Sequence, residues 1–150
     1  KDIILLKSSE QADIERLRSI IEANGLVYLQ EFITVASGSA RDIRAFVVDG
    51  RLQGAIYRNA PPGEWISNLA RGGRPTPCPK TRELEDLAVR SARAVGAIYC
   101  GVDLLESKDG LTTIEVNGTP SGKGIYDALG IDVTEAIAQH VCSNLDHRKG

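Results

Sequence analysis

The sequence lacks any apolar run that approaches the length needed to cross a bilayer, which excludes a spanning helix; no membrane partner is expected. It has little net charge: the balance of -2 gives no electrostatic case for nucleic acid as a partner. Cysteine is scarce and odd in number. Cys78, Cys100 and Cys142 lie far apart, with neither zinc-site spacing nor a CxxC pair, so a reducing cytoplasm is the expected compartment. Cys100 sits in an apolar strand and reads as a small core residue. Cys78, between Pro77 and Pro79, is placed for exposure, but no base at close spacing would activate it. His140 and His147 share no short motif and read as surface groups. The chain thus offers no Ser-His or Cys-His pair for nucleophilic chemistry. No internal repeat occurs, and no signal peptide; Lys1-Asp2 opens straight into a short strand-like run, as an excised segment does. What remains is 42% apolar and 25% charged across 150 residues, an ordinary globular composition for one domain or part of a larger one.

The periodicity outlines the elements. Ile3 to Leu6 reads as a short strand. Ile14, Leu17, Ile20 and Ile21 recur at helical spacing from Gln11 to Ala23, and Asn24-Gly25 ends that helix. Leu26 to Ile33 reads as a largely buried strand. After a small, polar loop over 36–41, residues 43–48 and 52–57 flank Asp49-Gly50, a strong hairpin signal. Asn59 to Lys80 holds five of the six prolines and is not regular structure throughout; a loop of that length usually has a job. Residues 81–95 form an amphipathic helix with Leu84, Leu87, Ala88, Ser91, Ala92 and Val95 on one face. A second hairpin follows, then a short helix at 125–129. Asp132 caps a last helix, with Glu135 completing a capping box and Val133, Ile137 and Val141 facing inward. The expected class is α+β, an antiparallel sheet with helices packed on one side.

The second hairpin carries the chemistry. Its arms are Gly101-Val102-Asp103-Leu104-Leu105 and Thr113-Ile114-Glu115-Val116-Asn117-Gly118, joined by a turn at 107–110. Glu115 and Asn117 are two apart and leave one face of their strand, with Asp103 about opposite them on the same face. Two readings stand. These are surface acids on a solvated face, or a hard-oxygen set for Mg²⁺ or Mn²⁺, completed by water and a nucleotide's phosphates. Adjacent like charges on one face repel unless a cation offsets them.

Arg58 ends the first hairpin. Asn68 and Arg71 follow in Trp65-Ile66-Ser67-Asn68-Leu69-Ala70-Arg71-Gly72-Gly73, where two glycines let backbone N–H groups approach an anion. Each of these residues is either a solvated surface group or a phosphate or carboxylate contact. Asp42 and Arg44, two apart on one strand face, form an ion pair with each other, or Arg44 reaches a ligand. Trp65 is placed to anchor its loop. Gln30-Glu31-Phe32-Ile33 is a core strand by periodicity; its position before a loop permits it to read a purine edge.

In order along the chain, Gln30 to Ile33, Asp42 to Val48, Trp65 to Gly73, Gly101 to Leu105 and Glu115-Val116-Asn117-Gly118-Thr119-Pro120-Ser121 resemble the ATP-grasp carboxylate–amine ligases. The resemblance runs from about residue 3 to 142 and is strongest to the α-L-glutamate ligase branch. That branch adds glutamate to a ribosomal protein's C-terminus or a γ-glutamyl coenzyme tail, or joins a carrier protein to α-aminoadipate in lysine biosynthesis. The resemblance implies that Asp103, Glu115 and Asn117 hold two Mg²⁺ or Mn²⁺ ions bridging the ATP phosphates. It makes Gln30, Glu31, Phe32 and Ile33 the adenine-binding hinge and sets Asp42 near the ribose. Arg58, Asn68 and Arg71 would meet the phosphates and an acyl phosphate, and Thr119 and Ser121 would line an amino-acid pocket. The loop from Val35 to Arg41 is longer than in the ribosomal-protein-modifying members.

The family's phosphate-covering Gly-rich loop and its lysines have no counterpart in residues 1–10, where Lys7 stands alone. The resemblance therefore implies the C-terminal portion of an ATP-grasp domain, lacking the N-terminal domain and Gly-rich lid and inactive by itself. It implies a full-length enzyme, homo-oligomeric, that uses ATP to join an acceptor carboxylate (a protein C-terminus or a small molecule) to the amine of glutamate. A glutathione-synthetase-like or D-Ala-D-Ala-like ligase and a non-catalytic nucleotide-binding module are the alternatives.

Overall fold

The computed structural model describes residues 3–36, 38, 40–67 and 72–146. The chain divides into two compact units, Lys1–Ile33 and Thr34–Gly150. In the first, α1 (Gln11–Asn24) ends where Gly25 takes a left-handed φ of 73° and donates its N–H to the Ile21 carbonyl at 2.8 Å. None of the residues of α1 is buried. The two strands expected in this unit are absent among its described residues. Ile3 to Leu6 has no ladder, and Leu26 to Ile33 is irregular, with Leu26, Tyr28 and Phe32 all exposed. A strand needs a partner for its N–H and C=O groups, and the described residues of this unit contain none.

The second unit is built on a five-stranded sheet, antiparallel throughout. Its strands are β1 (Arg41–Val48), β2 (Arg51–Asn59), β3 (Arg74–Pro77), β4 (Tyr99–Ser107) and β5 (Gly110–Asn117). Their order across the sheet is β3-β2-β1-β4-β5, so β1 joins the two hairpins. Asp49 and Gly50, at φ 51° and 66°, turn β1 into β2; both left-handed values suit the twist of a two-residue hairpin. The Pro-rich passage after β2 contributes β3 as an edge strand, where missing N–H groups cost least.

Helices cover both faces, not one. α2 (Arg82–Ala94) opens with the Thr81 hydroxyl accepting the Leu84 N–H at 3.1 Å. Its Leu84, Ala88 and Ala92 recur every four residues and pack with Ile43, Ala45, Val47, Cys100, Val102 and Leu104. On the opposite face, α3 (Lys123–Leu129) and α4 (Val133–Asp146) bring Ile125 and Val133 onto Phe46 and Ile56. A strand alternates its side chains, and here both sets are apolar near the middle of β1, so each face needs its own cover.

Smaller expectations change as well. Cys78 is buried in the α2-side core, because the residue after β3 folds back to bond Ala55. Val95 and Val141 are exposed, lying past the stripe that touches the sheet. Asp132 caps α4 by accepting the Thr134 N–H at 2.9 Å, but no capping box closes: the Glu135 carboxylate accepts from Gln139 instead. His140 lies 3.3 Å from Asp49, while His147 falls outside the described residues. Trp65 remains 39% exposed.

Candidate functional site

Register assembles a charged strip on the α3 side of the sheet. Asp42 in β1 stands opposite Arg58 in β2. One rung further, Arg44 in β1 opposes Asp103 in β4, which in turn opposes Glu115 in β5. The next rung carries Gly54, Phe46, Gly101 and Asn117. Directly opposed residues of an antiparallel pair share a face, with Cβ atoms about 4.5–5.5 Å apart. Asp103, Glu115 and Asn117 therefore lie together on one face; the two-residue spacing required this of Glu115 and Asn117. The α3 helix covers Phe46 and Ile56 on this face.

A bulge sits beside the acids. Glu115 pairs with Asp103 and Thr113 with Leu104, so Ile114 has no rung of its own. The extra residue lets Glu115 share the face of Asp103, while Thr113 turns to the other face, where its hydroxyl meets Ser91 of α2 at 2.9 Å.

The acids are not equivalent. Asp103 is 4% exposed and held by two guanidinium groups. Arg44 grips it with a two-pronged fork, Nε to one oxygen and Nη2 to the other, and Arg58 adds an Nη2 contact at 2.8 Å. Arg58 also forks Asp42 at 2.5 and 2.8 Å, and the Ser67 hydroxyl donates to Asp42 at 2.5 Å. Asp42 and Arg44, a possible pair from spacing alone, instead take partners across the strands. Burial alone would pull the Arg58 pKa down; the hydrogen bonds and charges of Asp42 and Asp103 outweigh it and raise it. Two acids and two bases thus form a buried network of zero net charge, and among the described residues no buried side-chain N or O lacks a hydrogen-bond partner.

Glu115, by contrast, is exposed and makes no ion pair among the described residues. Asn117 is half-buried, its side-chain oxygen accepting the Thr119 N–H at 2.9 Å. The described residues hold no cluster of three or more His, Cys, Asp or Glu arranged for a metal. The donor set is two carboxylates and an amide, and its chemistry fits a hard divalent ion. One of its members already answers to arginine.

Gly101 explains how Arg44 reaches Asp103. A Cβ at Gly101 would lie 2.7 Å from Arg44 Cδ and 2.9 Å from Pro120 Cβ. The arm of Arg44 therefore lies flat in a slot over β4 that glycine leaves open. Neither this slot nor Ser67 was signalled by periodicity; an arginine and an aspartate on strands of different hairpins reveal their pairing only once β1 is known to adjoin β4.

Asn68 and Arg71 lie outside the described residues. Gln30, Glu31, Phe32 and Ile33 belong to the first unit. Thr119 and Ser121 are exposed, and neither lines the depression formed by Tyr99, Pro120, Lys123, Tyr126 and Val133.

The family model described as a RimK-like ATP-grasp domain matches residues 3–141. The chain is 41% identical over 144 residues to the tetrahydromethanopterin:alpha-L-glutamate ligase of Methanosarcina acetivorans, covering 85% of this chain and 44% of that protein. It is 42% identical over 134 residues to a "probable alpha-L-glutamate ligase" of Stenotrophomonas maltophilia, covering 89% and 44%. The chain thus spans less than half the length of these relatives. The solved structure of the ATP-grasp ligase PsnB with a minimal precursor, Mg and ADP superposes with a TM-score of 0.61 at 25% identity, over 89% of this chain and 41% of that one. With nearly its whole length inside the matched region, the chain belongs to the RimK-like ATP-grasp family.

Proposed function

We propose that this chain supplies the C-terminal portion of the ATP-grasp domain of an ATP-dependent carboxylate–amine ligase. The names of the relatives favour L-glutamate as the amine component. The observation that carries the reading is the shared face of Asp103, Glu115 and Asn117 beside the Arg44–Arg58 pair.

In the proposed reaction, an acceptor carboxylate oxygen attacks the γ-phosphorus of ATP and ADP leaves, giving an acyl phosphate. The α-amine of glutamate then attacks the acyl carbon; phosphate leaves, the amine loses a proton, and an amide remains. Phosphoryl transfer asks protein side chains for alignment and charge neutralisation rather than for a nucleophile. Asp103, Glu115 and Asn117 are the residues that would hold Mg²⁺ or Mn²⁺. Such an ion, when bound, supplies charge neutralisation at the triphosphate. Arg58 sits within reach of the same carboxylate and presents donors to phosphate oxygens, with Asn68 and Arg71 assigned to the same task. Asp42 keeps Arg58 extended toward the strip. Gln30 to Ile33 are assigned to adenine.

The test is ADP release by the full-length protein given ATP, Mg²⁺, glutamate and a panel of carboxylate acceptors. Glu115→Ala is expected to lower kcat by about 100-fold or more while leaving the fold intact. Near-normal turnover at saturating Mg²⁺ would remove the assignment. Product mass then separates a protein acceptor from a small-molecule one.

A further inference from the structure

We infer that Arg44 is a positioning residue that occupies the cation's place on Asp103 and leaves it when the cation arrives. The inference rests on the reading of Asp103 as a cation ligand. Three observations carry it. Arg44 forks both oxygens of Asp103, the lone pairs a cation would need. The arm of Arg44 is seated in the slot above Gly101, where any side chain would collide with it. And Glu115, directly opposite Asp103, is exposed and makes no ion pair among the described residues, so the guanidinium answers one acid of the set and not the other.

The physical logic is competition. Two carboxylates on adjacent strands repel, and without a cation the buried one needs a positive partner. Arg44 supplies it, holds the Asp103 rotamer, and answers the charge of that one acid. Arg58 cannot do this alone, because both prongs of its fork bond Asp42 and only Nη2 is shared with Asp103. Three of the carboxylate's four lone pairs are taken, so an ion that binds both Asp103 oxygens must displace an arginine prong, and Arg44 is the group bonded to both. Arg44 therefore weakens cation binding in the absence of nucleotide, whereas a purely structural arginine at this position would strengthen it by holding the ligand in place. The two roles differ in sign.

The experiment is calorimetric titration of Mn²⁺ into the nucleotide-free full-length protein at fixed ionic strength, with circular dichroism confirming that each variant is folded. Neighbouring opposite charge lowers an acid's affinity for a proton by one to three pKa units. On that scale Arg44→Gln is expected to tighten Mn²⁺ binding by about tenfold or more. Arg44→Lys, with a charge but no fork, is expected to tighten it by less. If Arg44→Gln does not fold, the lysine variant decides by the same sign. Unchanged or weaker Mn²⁺ binding in the folded arginine variant overturns the inference. Glu115→Gln distinguishes the two levels of the argument. Where it abolishes Mn²⁺ binding and the arginine variants do not tighten it, only the role of Arg44 falls. Where wild type binds no Mn²⁺, or Glu115→Gln binds it as well as wild type, the cation site falls too.

Discussion

Asp103 and Leu104 are neighbours in β4, at 4% and 0% exposure, yet they face opposite sides of the sheet and are buried for different reasons. Leu104 sits among Ile43, Val102 and the α2 residues, in a core held by apolar area and close packing. Asp103 sits between two guanidinium groups, where charge is tolerated only because it is matched. The first face is finished by its own fold. The second is finished at the α3 end and left polar at the other, and the polar part is where the proposed site lies. Equal burial therefore conceals unequal dependence: one residue stabilises by what it excludes, the other by what it answers.

The largest expected effect breaks that comparison directly. Asp103→Ala leaves Arg44 and Arg58 buried with too few partners and is expected to cost about 3–5 kcal/mol. Leu104→Ala opens a cavity and is expected to cost about 2–5 kcal/mol. Urea unfolding of both at low and high salt separates the mechanisms, since the charged variant's deficit shifts with salt and the leucine variant's does not. Glu115→Gln, at the exposed end of the same rung, is expected to change stability by less than about 0.5 kcal/mol.

A second prediction sharpens the boundary between the covered and charged halves of the α3 face. A Cβ at Gly54 would meet Ile125 Cδ1 at 2.8 Å, Ile131 Cδ1 at 3.1 Å and Leu129 Cδ1 at 3.2 Å. Gly54→Ala is expected to cost about 1–3 kcal/mol by overpacking, read from denaturant midpoints. Ile125→Val should recover part of that loss; no recovery would mean that α3 does not bear on Gly54 as described.

The smallest effect probes a polar group on the apolar face. Tyr57 packs against the α2-side core, stacks under Arg41 at 3.9 Å and donates to Glu106 at 3.3 Å. Burial first, then its hydrogen bond with Cys78, pushes its phenol up to about 12 from 10.0. A raised pKa disfavours the phenolate in the folded state. Its stabilisation is thus fully present below pH 10 and is lost as the pH rises toward 12. Tyr57→Phe should flatten the stability profile in that window, and the late component of the ultraviolet tyrosine titration should shrink to the share of Tyr99, which burial also raises.

Local features were the legible ones. Asp49-Gly50 announced the first hairpin, and the period-four apolar stripe announced α2. The two-residue spacing of Glu115 and Asn117 announced a shared face. The ordered motifs identified the family because chemistry constrains them. What stayed hidden depended on distant pairing. That β1 adjoins β4 is a choice of topology, and from it follow the Arg44–Asp103 fork, the need for Gly101 and the cover on both faces. Ser67 gave no signal because one serine in a polar loop resembles any other until Asp42 is seen beside it. Leu26 to Ile33 misled because β-branched and aromatic content marks a strand only where a ladder exists to receive it.

Ile114 has one more consequence. By absorbing a residue without taking a rung, it uncouples the tip of the hairpin from its base: Gly110 to Thr113 count their alternation from the turn, while Glu115 and Asn117 count theirs from Asp103. Were Ile114 to take a rung, the two halves would fall into phase, and either Thr113 would leave Ser91 or both ligand candidates would turn to the helix side. One unpaired residue thus works as a differential between two gear trains, letting the outer loop vary in length while the inner teeth stay meshed.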